Sequence, residues 1–432
     1  MAVAVIVHVE RGAFAVRIHN AYFDHYKIPS LARGMMIIRR SRLIVRVAGN
    51  CKGHPLSLSH ELSLATVTLP LLAVLLLAPP LVAQEEELPT FRVDRIPSAP
   101  AFSGQTRAVS AEETAYEVVS IASGLSAPWA LAFLPGGEIL ITEYVGNMRI
   151  LDTKGQLSEP LHGLPEMSHE GWAGLFDVAL DPDFTENQLA YFSFTGKPQV
   201  PDGKNIPRVG RGRLDRANLQ IVDVEIIIDG SGSQEIHFAA DGKLLVSGAG
   251  DVFTEDAQDL GITFGKLLRF NPDGSVPDDN PWSADPSVPS AIFSLGHRDI
   301  SGFASHPDTG EIWITEHGPR GGDELNRIRA GANYGWKVIT YGTEYSGAPV
   351  GDGLTKQAGM EQPRYFWRPS IAPSGLIFYT GSMFPEWRGN IFVTSLAGQH
   401  LSRLVLDGDR VVAEERLLVD RAQRIREARV RA

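Results

Sequence analysis

The stretch from Ile314 to Trp336 holds the residues of this chain best suited to bind a cation. Gly318 and Pro319 form a turn that presents backbone carbonyl oxygens, and the carboxylates of Asp323 and Glu324 follow close behind. Proline fixes its own φ angle, so the turn is rigid. Carbonyl and carboxylate oxygens are the hard ligands that Ca²⁺ prefers. The combination predicts a calcium site, whereas a Gly-Pro pair alone is usually a turn and adjacent acids alone are usually a solvated loop.

A turn followed by a short strand recurs along the chain from residue 116 onward. Each copy pairs a glycine-containing turn with an apolar run, and the four copies are Pro135–Thr142, Ala240–Ser247, Asp308–Thr315 and Trp387–Thr394. Irregular repeats of this kind are typical of propeller blades separated by insertions. Blades are buried on both faces, which explains strands that are nearly all apolar. We predict an all-β fold, a β-propeller, with a β-sandwich as the less favoured alternative.

The motifs resemble those of soluble PQQ-dependent sugar dehydrogenases, the glucose/sorbosone dehydrogenase family. The shared motifs cover most of Tyr116 to Arg426 and occur in the family's order: Gly124–Phe133, Gly174–Phe184, Ala240–Lys243, Gly265–Phe270, Gly296–Arg298, the Gly318–Pro319 loop, Pro369–Gly375 and Arg424–Arg426. The resemblance implies a six-bladed β-propeller that binds pyrroloquinoline quinone (PQQ) and Ca²⁺. Because family members normally continue beyond the arginine-rich end of this chain, we expect the last blade to be incomplete, and a frameshift and a fragment boundary both stay open.

The resemblance assigns metal ligands at four positions. Gly318 and Pro319 would offer carbonyls to a Ca²⁺ that bridges PQQ. Glu324 and the carbonyl of Tyr334 would hold a second, structural Ca²⁺.

It also assigns residues to the cofactor, a planar quinone with three carboxylates. Arg298, Arg424 and Arg426 would bind those carboxylates, and Trp367 is a candidate to stack on the ring. Each has a plainer interpretation: Arg298 as a surface partner of Asp299, the two later arginines as edge-strand charges, and Trp367 as a buried tryptophan.

Several positions depart from the family pattern. Trp172 and Asp299 stand where the family has Gln and Asn, and Ser301 stands where it has a second Gln. Trp172 and Asp299 are therefore candidate cofactor contacts of altered chemistry. A carboxylate at Asp299 would repel the carboxylates of PQQ, although a desolvated Asp299 beside Arg298 is also a candidate base.

The catalytic base, a histidine in the family, falls on Ser231 when the alignment is counted back from the turn at Asp241. Ser231 and Arg298 are thus the candidate catalytic positions. A serine hydroxyl cannot act as a general base near neutral pH, whereas an imidazole can. His237 lies several residues further along the strand, so we expect it to be a packed strand residue. The glycine-rich stretch 230–234 also leaves a slipped alignment open.

The N-terminal part of the chain has the features of an export signal. Residues 62–83 are apolar and uncharged, and the helix-breaking Pro79–Pro80 with the small Ala83 favours cleavage after Ala83 over a permanent membrane anchor. A start at Met35 or Met36 would give an n-region of ordinary length. The predicted domains are an N-terminal extension with the signal-like segment (1–83), a linker (84–115) and the propeller (116–432).

Composition excludes some classes of partner. The net charge of −11 gives no basic surface for nucleic acid. The only cysteine, Cys51, would be lost on processing, so disulfide chemistry is not expected. We predict a periplasmic or secreted enzyme, without stable membrane insertion after processing, that oxidises aldose sugars to lactones and passes electrons to an external acceptor. The alternatives are an impaired propeller that binds a sugar or a protein, and, less favoured, a metal-dependent lactone hydrolase.

Overall fold

The computed structural model describes residues 3–7, 100–111, 113–171, 173–198, 204–248 and 256–431. The first two strands lie ahead of the propeller blades in the chain: β1 (Val3–Val7) and β2 (Val109–Ser110). β2 falls in the predicted linker, where Gln105 is also fully buried and donates to the Pro363 carbonyl at 3.0 Å. The predicted signal segment 62–83 lies outside the described residues.

The next strands form three consecutive antiparallel sheets. Blade 1 contains β3 (Pro128–Phe133), β4 (Ile139–Glu143) and β5 (Asn147–Leu151). Blade 2 contains β6 (Leu175–Leu180), β7 (Leu189–Gly196), β8 (Ile206–Asp215) and β9 (Gln220–Asp229). Blade 3 contains β10 (Gly232–Phe238), β11 (Leu244–Gly248), β12 (Lys266–Phe270) and β13 (Ile292–Leu295).

Two further sheets complete the series of five blades. Blade 4 contains β14 (Ile300–Ser305), β15 (Ile312–Glu316), β16 (Asp323–Arg327) and β17 (Tyr365–Trp367). Blade 5 contains β18 (Pro373–Phe378), β19 (Ile391–Ser395), β20 (Leu401–Asp407) and β21 (Arg410–Leu417), with β2 added in parallel to its outer strand. Helical structure is limited, in the described residues, to α1 (Phe184–Asn187) and the 3₁₀ turns Pro385–Trp387 and Val419–Arg421. None of these is long enough to cross a membrane.

The inner strands of the blades close into a ring. Each of β3, β6, β10, β14 and β18 contacts the next, and the last strand, β22 (Ile425–Val430), contacts both β18 and β3. Among the described strands, β22 pairs with β1 alone, in parallel. The prediction of an all-β propeller is confirmed. The described residues form five blades, and the ring position between blades 5 and 1 holds the two-stranded sheet of β22 and β1 in place of a full sixth blade.

The repeated turn-and-strand motif marks one structural position. Its four copies end in β4, β11, β15 and β19, each the second strand of its blade. In the turn before β11, Gly242 has a φ of +75°, a conformation that glycine adopts without steric cost. Blade 2 lacks the motif because α1 precedes its second strand, β7. The repeat predicted four of the five blades.

Candidate active site

The six inner strands surround an axial channel with two mouths. The C-terminal ends of all six line one cavity of about 450 Å³. Their N-terminal ends therefore meet at the opposite mouth, and it is there that the loops carrying most of the predicted site residues converge. Strand starts and the loops before them are common positions for functional side chains, because a rigid sheet holds them in place.

Arg298, in the loop before β14, is the most constrained cation at this mouth. Its side chain is buried, one Nη donates to the His317 carbonyl at 3.2 Å, and its guanidinium lies 5.4 Å from the centre of the Trp336 ring. The Arg298 Nε is buried without a hydrogen-bond partner among the described residues. A buried donor left unsatisfied is costly. An anionic ligand at this position would satisfy it.

Asp299 pairs with a histidine, which the sequence did not predict. Its Oδ2 lies 3.2 Å from Nδ1 of His317, whose Nε2 lies 2.6 Å from the Pro373 carbonyl. Burial acts to lower the pKa of His317, but the hydrogen bond and charge of Asp299 outweigh it and raise that pKa. Desolvation by the surrounding protein acts to raise the pKa of Asp299, but its side chain keeps 46% of its exposure, and the hydrogen bond and charge of His317 lower that pKa. Both ring nitrogens face acceptors, which favours the imidazolium form of His317 and the carboxylate form of Asp299.

Arg426 lies on β22 at the same level of the channel. Its guanidinium carbon lies 3.3 Å from the centre of the Trp129 ring, a close cation–π contact, and its Nη2 lies 3.9 Å from Oε1 of Glu235. Burial lowers the pKa of Arg426. Arg424 is less buried, and burial lowers its pKa as well. The structure thus brings Arg426 to the channel and adds Trp129, which sequence reasoning missed.

The Gly318–Pro319 loop is held by Asp323, and this corrects the expectation that Asp323 would bind the cation. The buried Asp323 carboxylate accepts hydrogen bonds from Gly318 N at 2.8 Å, Ser370 Oγ at 2.6 Å, Ile371 N at 2.7 Å and Ala372 N at 2.8 Å. These donors occupy its oxygens. Asp323 therefore fixes the shape of the loop, and the carbonyls of Gly318 and Pro319 remain the candidate ligands.

Glu324 and Tyr334 belong to a second polar group beside this loop. The amide Nδ2 of Asn326 donates to Glu316 at 2.8 Å and to Glu324 at 3.0 Å. The ring of His297 stacks on the Tyr334 ring, and its Nδ1 lies 3.1 Å from Oε1 of Glu316. Burial and the Glu316 charge raise the pKa of Glu324 well above its usual range. Asn326 Oδ1 is buried and has no partner among the described residues. Two carboxylates and an orphaned amide oxygen fit a hard cation.

Among the described residues, no three His, Cys, Asp or Glu side chains converge on one point. A cation beside Glu324 would have to draw on amide and carbonyl oxygens as well as carboxylates.

Ser231 and His237 lie at opposite ends of β10. Ser231 is half-buried just before the strand, at the mouth with Arg298, and His237 lines the cavity at the other mouth. His237 Nε2 lies 2.9 Å from Ser305 Oγ, and burial lowers its pKa to about 4. It is therefore a neutral, packed strand residue far from the candidate site. Trp172 lies outside the described residues.

The predicted stacking role of Trp367 is wrong. Trp367 lies on β17, the outermost strand of blade 4, and is buried in the core between blades 4 and 5. Its Nε1 donates to Glu414 at 3.2 Å. Tryptophan is a large apolar residue with one polar atom, and here the blade interface satisfies both parts of it.

Fold and site together define a class: an all-β propeller whose axis carries buried arginines that are suited to an anionic ligand. The chain belongs to the glucose/sorbosone dehydrogenase family, whose model matches residues 125–432. It is 37% identical over 317 residues to the aldose sugar dehydrogenase YliI of Escherichia coli, covering 71% of this chain and 84% of that protein. It is 35% identical over 387 residues to an uncharacterized protein of Synechocystis, covering 84% and 92%.

Solved structures agree. The soluble aldose sugar dehydrogenase of Escherichia coli in its apo form superposes with a TM-score of 0.64 at 36% identity, covering 70% of this chain and 90% of that chain. The PQQ-bound aldose sugar dehydrogenase of Streptomyces coelicolor gives 0.58 at 28% identity, covering 72% and 86%.

Proposed function

We propose that this protein is an exported quinoprotein that oxidises aldose sugars to lactones with PQQ and Ca²⁺ and passes electrons to an external acceptor. Family membership and the PQQ-bound relative support the proposal. The observation that carries it in this chain is the buried Arg298 at the channel mouth, whose Nε has no hydrogen-bond partner among the described residues. The proposal of export rests on the signal-like residues 62–83. The proposal of a sixth blade rests on β22, which contacts both β18 and β3 in the ring.

The arginines at the mouth fit the charge of the cofactor. Arg298, Arg424 and Arg426 would hold its carboxylates, and the Trp129 ring keeps the Arg426 guanidinium oriented. Carbonyls of the Gly318–Pro319 loop would hold one Ca²⁺, and Glu324, Asn326 and the Tyr334 carbonyl a second. When bound, PQQ supplies the hydride acceptor and Ca²⁺ the positive charge that polarises its quinone. The chain itself must orient the sugar and accept its hydroxyl proton.

Proton acceptance is the weak step in this chain. Ser231 cannot act as a base, and Asp299 is stabilised as an anion by His317, which lowers its basicity. We infer slow turnover, with water or Asp299 receiving the proton. The same observation favours the second candidate function, an impaired propeller that binds a sugar or protein at this mouth.

The test is aldose-dependent reduction of an artificial dye by the purified protein loaded with PQQ and Ca²⁺. Turnover that disappears with a chelator and without PQQ supports the dehydrogenase. A folded protein that binds PQQ but shows no turnover supports the impaired propeller. A folded protein that binds no PQQ contradicts the assignment of PQQ as the cofactor.

A further inference from the structure

A buried group of five charged side chains lies on the channel axis between the two mouths. We call it the axial cluster, and its members come from three of the inner strands: Asp177 (β6), Glu235 (β10), Arg426, Glu427 and Arg429 (β22). Relative exposures of Asp177, Glu235 and Glu427 are 2%, 6% and 3%. The cluster thus places three carboxyl groups against two guanidinium groups in a region of low dielectric.

The hydrogen bonds within the cluster are unequal. Arg429 donates to Glu427 and lies 3.8 Å from Asp177, and Asp177 also accepts from two backbone N–H groups at 2.8 and 3.0 Å. Glu427 accepts a further backbone N–H at 3.0 Å. The Glu235 carboxyl has no hydrogen bond within the described part of the chain, and its ion-pair partner is Arg426, at 3.9 Å. Glu235 is therefore the carboxyl least stabilised as an anion.

The charges that face Glu235 act in opposite directions. Burial raises its pKa most, the Asp177 and Glu427 carboxyls raise it further, and Arg426 and Arg429 lower it. The neighbouring His237 is neutral because burial lowers its pKa to about 4. Arg426 is thus the closest cation that opposes protonation of Glu235, and a change in the charge beside Arg426 shifts the proton affinity of Glu235.

We propose that Glu235 takes up a proton when an anionic cofactor binds to Arg426. This inference rests on the proposed function, since it takes PQQ as the ligand. A ligand carboxylate on Arg426 would satisfy the guanidinium and bring a further negative charge close to Glu235. A buried carboxylate that loses its counter-ion is expensive, and protonation removes the cost. Glu235 acts as a positioning residue for the arginine and has no contact with the sugar.

Linkage gives this inference a measurable form. If binding requires one proton, the Kd for PQQ rises by up to about tenfold per pH unit across the interval between the Glu235 pKa of the free and bound protein. PQQ carboxylates stay ionised above about pH 5, so they add no slope there. His317 titrates near the same mouth, so the contribution of Glu235 must be isolated by comparing variants.

The experiment is calorimetric titration of the full-length protein with PQQ and Ca²⁺ between pH 6 and 9. Repeating the titration in buffers of different ionisation enthalpy gives the number of protons taken up on binding. The wild type is expected to take up protons in part of this range. Glu235→Gln, which has the same shape without a titrating carboxyl, should lose that uptake and bind PQQ more tightly at alkaline pH. The matched control is Glu225→Gln. Glu225 also pairs with an arginine, Arg211, but it is exposed and lies on β9, the outer strand of blade 2. Thermal melting verifies that both variants fold.

The outcomes separate the two proposals. PQQ binding with the same proton count in wild type and Glu235→Gln overturns the inference and leaves the proposed function intact. Absence of PQQ binding to the folded wild type overturns both. Loss of proton uptake in Glu235→Gln, with uptake kept in Glu225→Gln, supports the inference. An equal loss of proton uptake in both variants overturns it.

Discussion

Ser231 is the residue at which the proposed lack of a catalytic base can be tested. It occupies the position where a histidine base is expected, at the mouth that also carries Arg298. General-base assistance is typically worth about 10²–10⁴-fold in rate. We therefore expect Ser231→His to raise kcat for aldose oxidation toward that range, because an imidazole at this mouth can take the hydroxyl proton. Dye-coupled rates of the PQQ-loaded variants measure the change.

The control for this gain is Ser231→Ala, which alters the position without adding a base and should leave the low rate unchanged. A rate for Ser231→His no higher than that of Ser231→Ala would show that more than the base has been lost, and would favour the sugar- or protein-binding alternative.

Arg298 tests whether the orphaned donor belongs to the cofactor. Arg298→Lys keeps the charge but removes the planar fork and its Nε. We expect the Kd for PQQ to rise by about tenfold or more, since a charge-assisted hydrogen bond is worth about 1.5–3 kcal/mol. Fluorescence titration measures it. Arg216→Lys, on an exposed arginine paired with Glu138, is the control, and equal affinities in all three proteins would remove Arg298 from the site.

At the scale of elements, the Gly318–Pro319 loop depends on the carboxylate of Asp323. Asp323 accepts from donors on both Gly318 and the segment Ser370–Ala372, so it joins the start of β16 to the approach to β18. Asp323→Asn replaces one acceptor oxygen with a donor and leaves buried N–H groups unsatisfied. We expect a loss of about 1–3 kcal/mol in unfolding free energy, and weaker Ca²⁺ binding.

Urea unfolding and calcium titration measure the two effects. Asp308→Asn, in an exposed turn of the same blade, should change neither. If Asp323→Asn lowered Ca²⁺ affinity at unchanged stability, Asp323 would be a ligand after all, and our correction of its role would be wrong.

The sequence predicted the strands better than it predicted the contacts between them. The turn-and-strand repeat located β4, β11, β15 and β19 because a local motif specifies a local hairpin. It could not show that Arg426 lies on Trp129, since ring closure brings together strands from opposite ends of the propeller. It left Trp367 between a stacking and a buried role, because a tryptophan in a strand looks the same from sequence whether it faces the axis or the next blade. The Asp299–His317 pair was missed for a related reason: it joins two loops.

At the scale of the whole molecule, closing the ring has an electrostatic cost. β22 carries Arg426, Glu427 and Arg429 into the axis, where Asp177 and Glu235 already lie. The two arginines offset part of the desolvation of the three carboxyls, but the pKa of each carboxyl remains raised. The folded propeller therefore binds protons more tightly at these three carboxyls than the unfolded chain does, and their contribution to stability falls as pH rises.

Glu427 makes that dependence testable. Burial, more than any other cause, raises its pKa from 4.5 to about 7. The folded state then holds the proton that the unfolded chain has already released, so the contribution of Glu427 to stability is full below about pH 4.5 and is lost as pH rises through 7. At about 1.4 kcal/mol per pKa unit, the loss approaches roughly 3 kcal/mol.

Glu427→Gln, which is neutral throughout, should match the wild type near pH 4.5 and have a higher urea midpoint than the wild type at pH 8. The control Glu225→Gln should follow the wild type at both pH values. A Glu427→Gln protein less stable than the wild type at pH 8 would mean that the ion pair with Arg429 outweighs burial, and that the cluster stabilises the ring as ions.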